Sequence, residues 1–241
     1  MNLGLIGSPV EKSISPQLQR ILFKEFGLND YIYKKYEVIN DNLSSFFDRF
    51  KSGDFNGINI TIPHKEAALE FLDTLDKSAE ILGNINCVKR TENMLTGYNT
   101  DLYGFNMLLK QNNVNIESTH CLVLGAGGSA KTIIKALIDG GARSITIKNK
   151  SMDNAQAIQS YAQRLGDIDI YLCTESDAKF DIAINTTPLG MYEKEDTQDF
   201  FDSLDKSELE EDNIEAAEKG GGAEYSVQLN NGEHLWFELQ W

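Results

Sequence analysis

The chain has 241 residues, 41% of them hydrophobic, with 37 acidic and 22 basic side chains and a net charge of −15. That is enough for one large globular domain or two modest ones, and the charge disfavours nucleic acid and anionic membranes as partners. An anionic ligand must be met by local cations or helix N-termini instead of the overall field.

The start, MNLGLIGSPVEKS, lacks the basic flank and long apolar run of a secretion leader. No later run approaches the ~20 apolar residues of a membrane helix. LGLIG (3–7) reads as a strand, and SPQLQRILFKEFG as a helix with Ser15 as N-cap, Pro16 in its first turn and Gly27 closing it. YIYKKYEVI is a strand and NLSSFFDRFK a helix. GINITIP alternates as a strand, with Ile58, Ile60 and Ile62 on one face and Asn59 and Thr61 on the other. Pro63 stops it, and KEAALEFLDTL predicts a helix opening at Lys65. A cation is disfavoured at a helix N-terminus, so Lys65 is either a solvated first-turn lysine or a group with chemistry to do. A short helix at 77–82, a hairpin from INCVKR and MLTGYN, and a helix over DLYGFNMLLKQ follow.

A second series runs strand CLVLG, helix 129–139, strand SITIKN, helix 152–165, and strands DIYLC and DIAIN. Strands and helices alternating at this spacing predict right-handed βαβ units and a parallel sheet. Cys87, Cys121 and Cys173 form no CxxC pair, which points away from a metal site or disulfides and towards a reducing, cytoplasmic setting. From 193 to 218 there are twelve acidic residues and two lysines. Such a segment cannot supply a buried parallel strand, so it is expected to be a helical or mobile cover, leaving the sheet edge after DIAIN exposed.

LVLGAGGSA places Gly125, Ala126, Gly127, Gly128, Ser129 and Ala130 between a strand and a helix. This is the G-x-G-x-x-A dinucleotide fingerprint in its required context. An NAD site has an acidic residue at the end of the next strand, but here Lys148, Asn149, Lys150 and Ser151 stand there. Cations without a carboxylate fit a 2′-phosphate, although surface charge would explain the lysines too. INTTPLGM, at the end of DIAI, places Thr186, Thr187 and Gly190 beyond the carboxyl end of a strand, where open α/β sheets bind ligands. An ordinary turn is the other reading.

SISP (13–16), GINITIPHK (57–65), NINCV (84–88), GYNTDLYG (97–104), GAGGSA (125–130), NKS (149–151) and NTTPLGM (185–191) occur in that order. Together they resemble the shikimate dehydrogenase family over about residues 1–191. The resemblance implies an NADP-dependent oxidoreductase reducing 3-dehydroshikimate to shikimate in aromatic amino-acid biosynthesis. It implies Lys65 and Asp101 as the catalytic pair, and Ser13, Ser15, Asn59, Thr61, Asn86 and Thr100 as substrate contacts. It implies Gly125–Ala130, Asn149, Lys150, Ser151, Thr186, Thr187, Gly190 and Met191 as the NADP site, with no metal. For Ser15, an N-cap role is compatible with ligand contact. Where the family carries Asn-Arg-Thr this chain has Asn149-Lys150-Ser151, which keeps the charge but loses arginine's planar fork. Gly221 and Gln228 keep the spacing of the family's closing motif without its apolar positions, making Gln228 a candidate substrate contact. LWFELQW resembles the family's closing helix.

The implied architecture is α/β. An N-terminal α/β substrate domain (1–103) precedes a Rossmann-like doubly wound parallel sheet for the dinucleotide (104–218), truncated at its last strand. The tail (219–241) is expected to fold back onto the first domain through Leu235, Trp236, Phe237 and Trp241. The partners expected are small molecules, with no nucleic acid or membrane, for a monomer or homodimer. A quinate or amino-shikimate dehydrogenase, or a non-catalytic nucleotide- or ligand-binding relative, are the alternatives.

Overall fold

In the computed structural model, residues 1–172 and 180–187 are described in full, with the backbone of 225–229 and 234–237. The chain forms two compact units, Met1–Asp101 and the described residues from Leu102 onward. Each holds a six-stranded sheet.

The first unit comprises β1 (Asn2–Gly7), α1 (Ser15–Glu25), β2 (Ile32–Glu37), α2 (Leu43–Ser52), β3 (Gly57–Ile60), β4 (Thr74–Leu75), α3 (Lys77–Leu82), β5 (Cys87–Thr91) and β6 (Met94–Tyr98). Its strand order is β2-β1-β3-β5-β6-β4. β1 runs parallel to β2 and β3, and β5 runs antiparallel to β3 and β6. The helical spacing of α2 buries Phe46, Phe47 and Phe50 together. Phe46 stacks on Phe55 with centroids 5.0 Å apart, and Phe47 on Phe71 at 4.8 Å. Each fully buried phenylalanine contributes about 1.5–3 kcal/mol, so this cluster anchors the sheet that carries the polar site.

Three local expectations change. Strand β3 ends at Ile60, so Ile58 and Ile60 are buried while Ile62 is 48% exposed. No α-helix opens at Lys65: a 3-10 helix covers Ala67–Phe71, and Leu72 turns extended so that Thr74–Leu75 pairs with β6. Continuing the helix would forfeit that pairing and lift Leu72 and Leu75 off the core they pack against, so packing overrides the helical propensity of the segment. Ser15 is the first helical residue and not the N-cap. Ile14 holds the cap position with no side-chain bond, and Ser15 N–H donates to Ser13 Oγ at 3.2 Å.

Helix α4 (Asp101–Gln111) leads into the second unit. There follow β7 (His120–Leu124), α5 (Gly128–Asp139), β8 (Ser144–Lys148), α6 (Met152–Leu165), β9 (Asp169–Leu172), β10 (Ile182–Asn185), β11 (Tyr225–Leu229) and β12 (His234–Phe237). The order is β12-β11-β10-β7-β8-β9, and β10, β7, β8 and β9 are parallel. Cys121, Val123, Ile145, Ile147, Ile182 and Ile184 from these strands pack with Ile133, Ile134 and Leu137 of α5. The chain passes outward from β7 to β9 and then returns to place β10 on the other side of β7. That reversal is the switch point at which such sheets bind ligands.

The parallel run ends at β10, but its edge is paired. β11 lies antiparallel on β10, and β12 antiparallel on β11. His234–Phe237 is therefore a strand where a closing helix was expected, and the edge expected to be exposed is covered. YSVQL alternates polar and apolar residues. That pattern suits an antiparallel strand and escapes a search for the near-continuous apolar runs of parallel ones. The acidic segment 193–218 lies outside the described residues.

Candidate active site

In the first unit the sheet order reverses between β1 and β3, and the polar residues gather beyond the carboxyl ends of those two strands. Ser13 and Ser15 follow β1, Asn59 and Thr61 lie on and just after β3, and Lys65 lies in the turn beyond. Asn86 precedes β5, whose antiparallel course brings its start beside the end of β3, with Asn59 opposite Cys87. Thr100 and Asp101 come from the end of β6 and the start of α4.

Lys65 is 6% exposed and Asp101 1%. Lys65 Nζ donates to Asp101 Oδ2 at 3.1 Å. The other carboxylate oxygen accepts from Asn86 Nδ2, which also donates to Thr100 Oγ1 at 2.8 Å, while Asn86 Oδ1 accepts from Thr100 N–H at 3.0 Å. Burial pushes the Asp101 carboxyl above its ordinary value, and the Lys65 ammonium and the Asn86 amide pull it back. A buried ammonium is tolerated only with such a partner. The pair therefore holds a proton-bearing group in a dry, fixed position.

Around it, Asn59 Nδ2 donates to Asn86 O at 3.3 Å and Ser13 Oγ donates to Ser15 Oγ at 3.0 Å. The loop carrying the serines is held by Lys35 Nζ donating to Ser13 O at 3.3 Å and by Val10 N–H donating to Glu37 Oε2 at 3.0 Å. His64 is buried and its Nε2 donates to Val38 O at 2.5 Å. Tyr33, which the sequence showed only as part of a strand, belongs here. Its hydroxyl donates to Asn59 Oδ1 at 2.8 Å, and burial raises its pKa. No local signal marks it, since Tyr33 stands near the amino end of β2, opposite Leu3 of β1, and reaches Asn59 only through its long side chain. Asn84 and Asn99, both buried, also escaped the sequence reading.

In the second unit, Gly125 follows β7 at φ +104, a left-handed conformation that favours glycine. A Cβ there would lie 2.5 Å from Thr186 Oγ1. Among the described residues, a Cβ on Gly127 would meet nothing within 4 Å. No side chain among the described residues caps that helix at Gly127. A glycine turn leading into the positive end of α5 suits a phosphate. Ala126 and Ser129 are partly exposed, and Ala130 is buried against the core. These residues fit the pyrophosphate of a dinucleotide.

Lys148 ends β8, and its carbonyl accepts from Gly125 N–H at 2.9 Å. Asn149 Nδ2 donates to Ser151 O at 2.8 Å, Ser151 Oγ caps α6 by accepting from Asn154 N–H at 3.3 Å, and Lys150 is exposed. Thr186 Oγ1 donates to Leu124 O at 2.7 Å, and Thr187 Oγ1 to Asn185 Oδ1 at 2.7 Å. Both threonines thus tie the end of β10 beside the glycine turn. Gly190 and Met191 lie outside the described residues. Gln228 sits on β11 opposite Ala183. Among the described residues no cluster could hold a metal ion, and no helix is long and apolar enough to cross a membrane.

The family profile "Shikimate dehydrogenase substrate binding domain" matches residues 5–88, and "Shikimate / quinate 5-dehydrogenase" matches 107–190. The chain is 38% identical over 200 residues to the shikimate dehydrogenase (NADP(+)) of Clostridium beijerinckii, covering 80% of this chain and 70% of that one. A crystal structure of a shikimate dehydrogenase in complex with NADP+ superposes with a TM-score of 0.71 at 34% identity, over 79% of this chain and 68% of that one. The Thermus thermophilus shikimate 5-dehydrogenase in complex with NADP(H) and shikimate gives 0.70 at 28% identity, over 79% and 70%.

Proposed function

The chain belongs to the shikimate dehydrogenase family of oxidoreductases, and on that premise we propose that it reduces 3-dehydroshikimate to shikimate with NADPH. The observation that carries this reading is the buried Lys65–Asp101 pair, joined at 3.1 Å. Bound NADPH would supply the hydride. As the ketone carbon accepts it, negative charge grows on the oxygen, and Lys65 donates the proton that quenches it, a contribution of typically ~10²–10⁴-fold. Asp101 holds the ammonium in line and stabilises its charged form. Asn86 holds Asp101 from the other side.

Ser13 and Ser15 present hydroxyls to the substrate carboxylate. Asn59, Thr61, Asn86 and Thr100 bind the ring hydroxyls, and Gln228 is a further contact. The glycine turn at 125–130 receives the pyrophosphate, Lys150 with Asn149 and Ser151 receives the 2′-phosphate, and Thr186, Thr187, Gly190 and Met191 line the path to the nicotinamide. A second substrate, quinate, is favoured by the match over 107–190 to a family that includes quinate dehydrogenases.

The test is NADPH oxidation followed at 340 nm with 3-dehydroshikimate, and NADP+ reduction with shikimate and with quinate. Turnover with the shikimate pair supports the proposal. NADPH binding without turnover on any ring substrate would leave a binding protein and overturn it.

A further inference from the structure

The amide of Asn99 lies two residues before Asp101 and is 3% exposed. Its Oδ1 accepts the Asp101 backbone N–H at 2.9 Å. Its Nδ2 donates to Asn84 Oδ1 at 2.5 Å and lies 3.4 Å from Asn84 O. Asn84 is fully buried. The backbone N–H of Asn99 donates to Ser78 Oγ at 3.1 Å, and that hydroxyl donates to Asp76 Oδ1 at 2.6 Å, the N-cap of α3.

A primary amide has one accepting end and one donating end, and only one orientation of the Asn99 amide serves Asp101. If it turned over, its NH2 would face the Asp101 N–H, donor against donor. The carbonyl oxygens of Asn84 forbid that by demanding a donor from Asn99 on the opposite side. Asn84 therefore selects the orientation of Asn99, which holds the first residue of α4. We propose that Asn84 and Asn99 are positioning residues that aim the Asp101 carboxylate between Lys65 and Asn86. This rests on Lys65 and Asp101 being the acid–base pair.

A reacting group displaced by about 1 Å can cost up to ~10²-fold in rate, so an effect on kcat is expected without any contact to substrate. Asn84→Ala removes the side-chain oxygen at 2.5 Å from Nδ2 and leaves only the distant main-chain oxygen at 3.4 Å, whereas Asn84→Asp keeps an oxygen at both places. The experiment measures kcat and KM for shikimate and NADP+ from pH 6 to 10, with melting temperatures, for both variants and for Lys65→Ala as the reference. Asn84→Ala is expected to lower kcat about tenfold, to leave the KM for NADP+ within about twofold, and to move the pH profile of kcat. Asn84→Asp should recover most of kcat.

A lowered melting temperature with wild-type kcat and pH profile for Asn84→Ala would make the pair merely structural and overturn the proposal, as would equal losses in both variants. Lys65→Ala separates the two levels. If it keeps full activity, the acid–base reading itself fails; if it collapses while Asn84→Ala does not, only the positioning role fails. Should Asn84→Ala not fold, Asn84→Ser replaces it, since its Oγ lies one bond nearer the main chain than Asn84 Oδ1 and falls short of Asn99 Nδ2, and the same outcomes apply.

Discussion

The two units solve the problem of a precise polar site in opposite ways. In Met1–Asp101 the proposed working atoms are buried side chains, Lys65, Asn86 and Asp101, each fixed by another side chain. In the second unit the proposed cradle is backbone: a left-handed Gly125, Gly127 and the N-terminus of α5, with Thr186 as a strut. A site made of side chains should be destroyed by deleting one functional group. A site made of backbone should resist side-chain deletion and yield to an added Cβ. Both lie beyond the carboxyl ends of parallel strands where the strand order reverses, so the shared feature is topology and the difference is which atoms do the binding.

The sharpest test of that contrast is Lys65→Ala. Turnover is expected to fall by ~10²-fold or more through loss of the proton donor, with NADPH affinity from fluorescence titration unchanged. Parallel loss of cofactor affinity would erase the distinction between the units. The wild-type rate should also fall on the acid side. Because burial raises the Asp101 pKa, the carboxylate that holds Lys65 is lost at a higher pH than a solvated aspartate, whose pKa is ~3.9, would require. The pH profile of kcat should show that limb in the wild type and lack it in Asp101→Asn.

Next in size is Gly125→Ala. A left-handed alanine costs about 1–2 kcal/mol, and the new methyl meets Thr186 Oγ1 at 2.5 Å. The NADP+ dissociation constant is expected to rise about tenfold, the equivalent of 1.4 kcal/mol, with shikimate binding by calorimetry unchanged. An unaffected NADP+ constant would show that the turn does not carry the phosphates.

Lys150→Asp should act more gently because the side chain is exposed. A weakening of NADPH by about fivefold, the scale of a solvent-screened charge contact, with NAD less affected, would show in paired KM measurements. Equal wild-type affinity for the two cofactors would end the assignment of this lysine to the 2′-phosphate.

The smallest expected effect is none. Burial lifts the thiols of Cys87 and Cys121 to about 11, well above an ordinary ~8.5, so neither should be alkylated by iodoacetamide at pH 7.5 in the native protein. Mass mapping before and after unfolding checks this. Fast native labelling of Cys87, the first residue of β5 and paired with Asn59 of β3, would mean the sheet of the first unit opens more readily than its packing implies.

The alternation of Ile58, Asn59, Ile60 and Thr61, the glycines from 125 and the chain order of the motifs determined the parallel strand–helix units, the glycine turn and the residue types of each unit's candidate site. These are local signals: period, turn chemistry and spacing are written in neighbouring residues. Tertiary structure alone decided that Lys65 stands outside an α-helix, because the pairing of Thr74–Leu75 with β6 is a contact between distant segments. It also decided that YSVQL and HLWF form paired edge strands, since an alternating strand declares itself only beside its partner. And it joined Tyr33 to Asn59, and Asn84 to Asn99 behind Asp101. A polar side chain is inexpensive to bury only when its partner is already in place, and that partner, 26 residues away for Tyr33 and 15 for Asn84, is supplied by the fold.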